Sequence, residues 1–176
     1  MVPFDSNIAP MRWTTLRPLA RRILAPIMRI ALDTHVVMGD VSRVRVGERV
    51  ALANAILNVS SGMITIGSRT ILSPNVMLIT GRHNFSEGKR VSVNPGFDDG
   101  SWGGGSAEVP SEGFDITIGE GVWVCAGAIV SGGVTIGSHS IVCAGAIVVK
   151  SFPEHSIIAG VPARLIGDTR NLQTPL

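Results

Sequence analysis

The stretch Val124-Cys125-Ala126-Gly127-Ala128-Ile129-Val130 recurs unchanged, eighteen residues later, as Val142-Cys143-Ala144-Gly145-Ala146-Ile147-Val148. Eighteen is three sixes, and a six-residue rhythm runs through both copies. Aliphatic residues fall at Ile118, Val124, Val130, Ile136, Val142 and Val148. The position after each of the first five is small: Gly119, Cys125, Ser131, Gly137 and Cys143. Four positions after each of those five come Val122, Ala128, Val134, Ser140 and Ala146, all small or β-branched. A fixed internal period specifies an array of like units rather than an ordinary globule.

A six-residue unit with one inward aliphatic and a small corner residue suits one short strand plus a turn. Three such units close a triangular prism, and the next coil stacks in register at the strand spacing of roughly 4.8 Å. Backbone groups then pair with the coil above and below, as buried backbone must. The expected class is all-β, a parallel β-helix of hexapeptide repeats. The general preference for right-handed crossovers does not decide the hand of such a coil.

Outward from the repeat the rhythm loosens. Irregular coils are expected over 36–63, marked by Val46, Leu52 and Asn58, and a clean stretch restarts at Ile66-Gly67 and gives Leu72 and Leu78. The distance from Leu78 to Ile118 is not a multiple of six, so an inserted loop is expected over 84–115. It contains Pro95-Gly96 and the Gly-rich run Ser101–Ser106. Long loops of this kind in compact domains usually carry function. Three segments follow: a leader with an amphipathic helix (1–35), the β-helix (36–150), and a tail (151–176) leaving through Ser151-Phe152-Pro153. Between Met11 and Leu32, apolar residues Leu16, Leu19, Ala20, Ile23, Leu24, Ile27, Met28 and Ala31 keep helical spacing around Pro18 and Pro26. That helix either caps the first coil's open edge or lies on an anionic membrane surface, where its arginines would face lipid.

Bulk properties fit one domain of 176 residues with a sizeable core. Aliphatic residues are abundant and rings scarce, with no Tyr, as a narrow prism requires. The net charge is +2, which suggests no nucleic-acid partner. No apolar run reaches membrane-spanning length, because Arg29 interrupts the best one, and a cleavable signal peptide fails for the same reason. Cys125 and Cys143 fall one coil apart, on one corner. They are either two small corner residues or a reactive pair, and no zinc-ligand spacing accompanies them. Reduced thiols fit a cytoplasmic protein.

The hexads, the segment Ile118-Gly119-Glu120-Gly121-Val122-Trp123-Val124, and the ending Ile158-Ala159-Gly160-Val161-Pro162-Ala163-Arg164 resemble those of the hexapeptide-repeat acyltransferases. The nearest branch is that of the maltose, galactoside and Nod-factor O-acetyltransferases, and the colanic-acid-type exopolysaccharide acetyltransferases look closer still. The resemblance covers about 41–167 and implies a left-handed β-helix, a homotrimer with sites between subunits, and acetyl coenzyme A as co-substrate without a metal. It implies that His83, sixteen residues after Gly67, is the general base that takes the acceptor hydroxyl's proton. An imidazole suits that task because it titrates near neutrality. Trp123 is implied beside donor and acceptor, with a trimer-interface anchor as the alternative. Asn54, Asn58 and Asn84 are implied on the acceptor side, though inward ladder or turn positions explain Asn54 and Asn58 equally well. Coenzyme A would run along the small residues Ala126 and Ala144. Gly160 and Val161 would fold against it, and Lys150 and Arg164 would meet its phosphates. His35, His139 and His155 are weaker candidates for the base.

One departure stands out: the loop after His83 is about sixteen residues longer than in the galactoside-type enzymes as the resemblance presents them, which leaves the acceptor open. A sugar or glycan hydroxyl, in exopolysaccharide or lipid-linked glycan assembly at the inner membrane face, is one reading. A small molecule such as an antibiotic, an amino sugar or serine is another. A non-enzymatic β-helix scaffold would need neither His83 nor the Lys150/Arg164 pair. A zinc carbonic anhydrase would need three converging histidines, and only His83 is well placed.

Overall fold

The hexad aliphatics form the inner columns of a three-sided solenoid. The computed structural model describes residues 35–86, 89–90 and 109–172. The expected amphipathic helix of 11–32 and the Gly-rich part of the insertion lie outside them. All described residues fall in one compact unit, Thr34–Leu176.

In chain order the strands are β1 (Val36–Met38), β2 (Val44–Val46), β3 (Ala51–Leu52), β4 (Ile56–Asn58), β5 (Ile64–Ile66), β6 (Ile71–Leu72) and β7 (Met77–Ile79). A small hairpin, β8 (Phe85–Ser86) and β9 (Lys89–Arg90), lies in the insertion. Then follow β10 (Ile116–Ile118), β11 (Trp123–Val124), β12 (Ile129–Ser131), β13 (Thr135–Ile136), β14 (Ile141–Val142), β15 (Ile147–Val148), β16 (Ser156–Gly160) and β17 (Ala163–Asp168). Strands β1, β4, β7, β12 and β15 stack as face A; β2, β5, β10 and β13 as face B; β3, β6, β11, β14, β16 and β17 as face C. The chain visits B, C and A in turn, and every pairing between coils is parallel. Among the strands of the three faces, only the last pair, β16 with β17, runs antiparallel, and it closes face C.

Register turns the hexads into three buried columns. Leu57, Leu78, Val130 and Val148 stack inside face A. Ile66, Ile118 and Ile136 stack inside face B, and Leu72, Val124, Val142 and Ile158 inside face C. Each is at most 1% exposed. The corner residues Val122, Ala128, Val134, Ser140 and Ala146 are buried too, so both sets of hexad positions are core. Glycine keeps the B–C corner close-packed: a Cβ on Gly67 or on Gly119 would lie 2.5 Å from the backbone of the next coil.

Two spacings differ from the simple rhythm. Leu57, not Asn58, is the inward residue of β4, because the corner between Leu52 and Leu57 is one residue shorter than that between Leu72 and Leu78. The Ala55 N–H closes that tight turn on the Leu52 carbonyl at 2.9 Å, with Asn54 at φ 51. The solenoid also continues past Lys150 instead of ending there. Phe152 pairs with Ile136 of face B and is buried, and Ile158 continues face C. The short step from Val148 to Phe152 breaks the hexad count and hides this from the sequence.

Candidate functional site

All the long irregularities of the prism gather on the A–B corner. Its first three passes are 39–43, 59–63 and the insertion, which leaves at Thr80 and returns by Asp115. The B–C corner keeps the six-residue step on every coil, as from Ile66 to Leu72 and from Ile136 to Val142. The insertion returns tightly. The Arg43 guanidinium donates to the carbonyls of Val59 at 3.2 Å and Ser111 at 2.6 Å. The Phe114 N–H reaches the Ser61 carbonyl, and Asp115 accepts the Met63 N–H at 2.8 Å. The Arg82 guanidinium lies 5.0 Å from the Phe114 ring centroid. An open recess of ≈ 580 Å³ at this corner is lined by Arg43, Met63, Glu112 and Asp115, among others.

His83 is exposed on this corner, at the start of the insertion, with Asn84 half-buried beside it. Asn58 ends β4 on the same corner, and Lys150 follows β15 there on the last coil, its ammonium 5.5 Å from the Phe152 ring centroid.

The other candidates lie elsewhere. Trp123 projects outward from face C, half exposed at 50%, and its Nε1 donates to Ser73 Oγ at 3.1 Å. Asn54 is a left-handed turn residue on the C–A corner. Ala126 and Ala144 are exposed on that corner with Gly127 and Gly145, and a Cβ on either glycine would meet nothing within 4 Å. Gly160 and Val161 turn from β16 to β17 at the same end of face C. Arg164 follows opposite Ala159, its Nη1 donating to the Ala163 carbonyl at 3.0 Å. In a triangular prism the A–B corner stands across the body from face C. One chain therefore brings His83, Asn58, Asn84 and Lys150 together on one side. It sets Trp123 on the opposite face, with Ala126, Ala144, Gly160, Val161, Arg164 and Asn54 at that face's far edge.

The open C–A track suits an extended amide-bearing chain, and Arg164 at its end suits a phosphate. Cys125 and Cys143 are free thiols one coil apart on this track. Burial pushes the Cys125 thiol up, the neighbouring Cys143 adds to the rise, and the Ala144 N–H bonded to it opposes them. A raised pKa favours the protonated sulfur, a poor nucleophile, which fits Cys125 as a corner residue.

The outward columns differ by face. Face A presents Val36, Ile56, Met77, Ile129 and Ile147 in register. Face C presents Ala51, Ile71, Trp123, Ile141 and Ile157. Face B presents Arg45, Thr65, Thr117 and Thr135. Two outer faces are thus apolar and one is wet. The hexad positions between the inward aliphatics carried this signal, and only the register makes it a surface. His139 and His155, stacked at 5.3 Å, belong to the B–C corner, far from these groups. Among the described residues no cluster of three or more His, Cys, Asp or Glu could hold a metal ion, and no helix is long and apolar enough to cross a membrane.

No protein-family model matches the chain. A Dictyostelium discoideum protein named "Putative acetyltransferase" is 45% identical over 103 residues, 58% of this chain and 46% of the relative. The solved polySia-specific acetyltransferase NeuO is 26% identical, with a TM-score of 0.53 over 72% of this chain and 52% of its own. The chain thus spans about half the length of each. A hexapeptide-repeat-containing acetyltransferase of Vibrio cholerae O1 biovar eltor, solved with acetyl coenzyme A, matches 95% of this chain and 93% of its own. It is 21% identical, with a TM-score of 0.52. The fold is that of the hexapeptide-repeat acetyltransferases, a left-handed parallel β-helix.

Proposed function

We propose that this chain is an acetyl-coenzyme-A-dependent O-acetyltransferase acting on a sugar or glycan hydroxyl, with active sites shared between the subunits of a homotrimer. The observation that carries this reading is the opposite placement of its two residue groups. His83 and Lys150 lie on one corner, and Trp123, Ala126, Ala144 and Arg164 lie across the prism. A cleft between neighbouring copies joins the two groups where one copy cannot. The apolar outer faces A and C are the surfaces such a trimer would cover, and the threonine face B is the one it would leave in water. The acetyltransferase relatives support the chemistry, and the polySia specificity in NeuO's name supports a glycan acceptor.

His83 acts as the general base. It accepts the acceptor hydroxyl's proton as that oxygen attacks the thioester carbonyl. The new O–C bond forms, the C–S bond breaks, and the proton passes to the departing sulfur. The backbone at Ala126 lies on the track where a carbonyl oxygen gaining charge would need an N–H donor. Trp123, fixed by Ser73, walls the cleft against water. Asn54 and Asn84 are then expected on the acceptor side of the cleft, with Asn58 beneath the segment that carries His83. The proposed setting is the cytoplasm, at the inner membrane face when the acceptor is lipid-linked.

Lys150→Ala and Arg164→Ala are each expected to weaken coenzyme A binding by about tenfold, the size of one lost charge-assisted hydrogen bond. Acceptor KM should change little. Calorimetric titration with coenzyme A and its dephospho form checks this. The variant whose partner is the 3′-phosphate should lose its disadvantage with the dephospho form. Wild-type affinity in both variants would move the cofactor site elsewhere.

A further inference from the structure

The segment that presents His83 leaves β7 through hydrogen bonds supplied by the preceding coil. Asn58 Oδ1 accepts two backbone N–H groups, those of Ser60 and Gly81, both at 3.1 Å. The Asn58 carbonyl accepts the Thr80 N–H at 3.0 Å and the Thr80 hydroxyl at 2.8 Å. That hydroxyl accepts the Ser61 N–H at 3.1 Å, and Ser61 Oγ accepts the Arg82 N–H at 3.2 Å. The N–H groups of Thr80, Gly81 and Arg82, the three residues before His83, all end on Asn58 or Ser61. Thr80 and Ser61 are buried. Gly81 fits the brace for want of a side chain, since a Cβ there would lie 2.8 Å from Asn58 Oδ1.

An ordinary A–B corner passes its first N–H to the preceding coil, as Val59 does to the Met38 carbonyl, and Thr80 keeps that bond to Asn58. The chain then departs into the insertion, so the N–H groups of Gly81 and Arg82 need side-chain partners. Short polar side chains are the usual local substitute. The one-residue-short corner before β4 turns Leu57 inward and leaves Asn58 as the half-buried residue beneath Gly81.

We propose that Asn58 and Ser61 are positioning residues that fix where His83 stands, an inference that rests on reading His83 as the general base. A base two residues beyond an anchored amide keeps its distance to the reacting hydroxyl. Displacement by about 1 Å costs about a hundredfold in rate. Asn58 on this reading acts through the backbone and does not touch the acceptor.

Four variants test it in the full-length chain: Asn58→Ala, Asn58→Asp, Ser61→Ala, and Asn58→Ala combined with His83→Ala. Asn58→Ala and Ser61→Ala should lower kcat by about ten- to hundredfold, with KM for acetyl coenzyme A and acceptor within about twofold of wild type. Asn58→Asp keeps an oxygen that accepts both N–H groups and should recover most of kcat. In the His83→Ala background, Asn58→Ala should add no further loss, because the two act as one unit. Amide exchange at Gly81 and Arg82 should quicken in Asn58→Ala and Ser61→Ala respectively, and stay slow in Asn58→Asp. A wild-type kcat in Asn58→Ala, or a raised acceptor KM at unchanged kcat, would overturn the proposal and return Asn58 to the acceptor site. A loss that persists in full without His83 would overturn it too. If His83→Ala alone kept full activity, the general-base reading would fall and the positioning role with it, whereas the exchange data would still report on the brace itself.

Discussion

Replacing His83 with alanine is expected to lower turnover by about 10²–10⁴, the range for a lost general base, while the fold stays intact. The side chain is exposed on the A–B corner and none of the buried columns includes it, so stability has little to lose. The circular dichroism spectrum and melting temperature should match wild type. Coenzyme A affinity should be nearly unchanged, since the groups expected to hold it, Lys150, Arg164 and the Ala126–Ala144 track, are left in place. Near-normal turnover in a folded His83→Ala protein would remove this residue from the chemistry.

Mixed oligomers give the second large effect. Trp123→Ala should also lose most activity, because the indole walls the cleft from the partner's side. Subunits carrying His83→Ala and subunits carrying Trp123→Ala, unfolded together and refolded, form interfaces that pair an intact A–B corner with an intact face C. With random assortment about a quarter of the interfaces in a cyclic trimer are intact. The mixture should regain about a quarter of wild-type activity, from parents that each have almost none. The polar face B and the apolar faces A and C say which surfaces must meet. Failure to regain activity despite demonstrated subunit exchange would place His83 and Trp123 in the same site of one chain, against the geometry of the prism.

Much of the fold was legible because the hexad is a geometric rule. The aliphatics Ile118, Val124, Val130, Ile136, Val142 and Val148 name the three inner columns directly, one face after another. The break after Leu78 marks where the insertion begins. The steps at Leu57 and Phe152 were not legible. A corner one residue short keeps the strand inside the prism but shifts every later number, so counting in sixes put Asn58 where Leu57 is. At Phe152 the corner shortens by two and the count simply stops. The sequence also names candidate side chains without sorting them. Lys150 and Arg164 read as one phosphate site, yet the strands place them on different corners. The bonds from Asn58 and Ser61 to residues 80–82 join neighbouring coils, and contacts that depend on stacking leave no local pattern.

The central claim, acetyl transfer from coenzyme A at a His83-bearing corner, is tested most directly by one measurement on the purified chain. Melting temperature is followed against coenzyme A concentration, then thiol release from acetyl coenzyme A is recorded with a panel of activated sugars and oligosaccharides, for wild type and His83→Ala side by side. The prediction is saturable stabilisation by coenzyme A in both proteins, and acceptor-dependent thiol release in wild type that drops by about 10²–10⁴ in the variant. No stabilisation by coenzyme A or its acetyl form in either protein, or thiol release that is the same in both, would contradict the account.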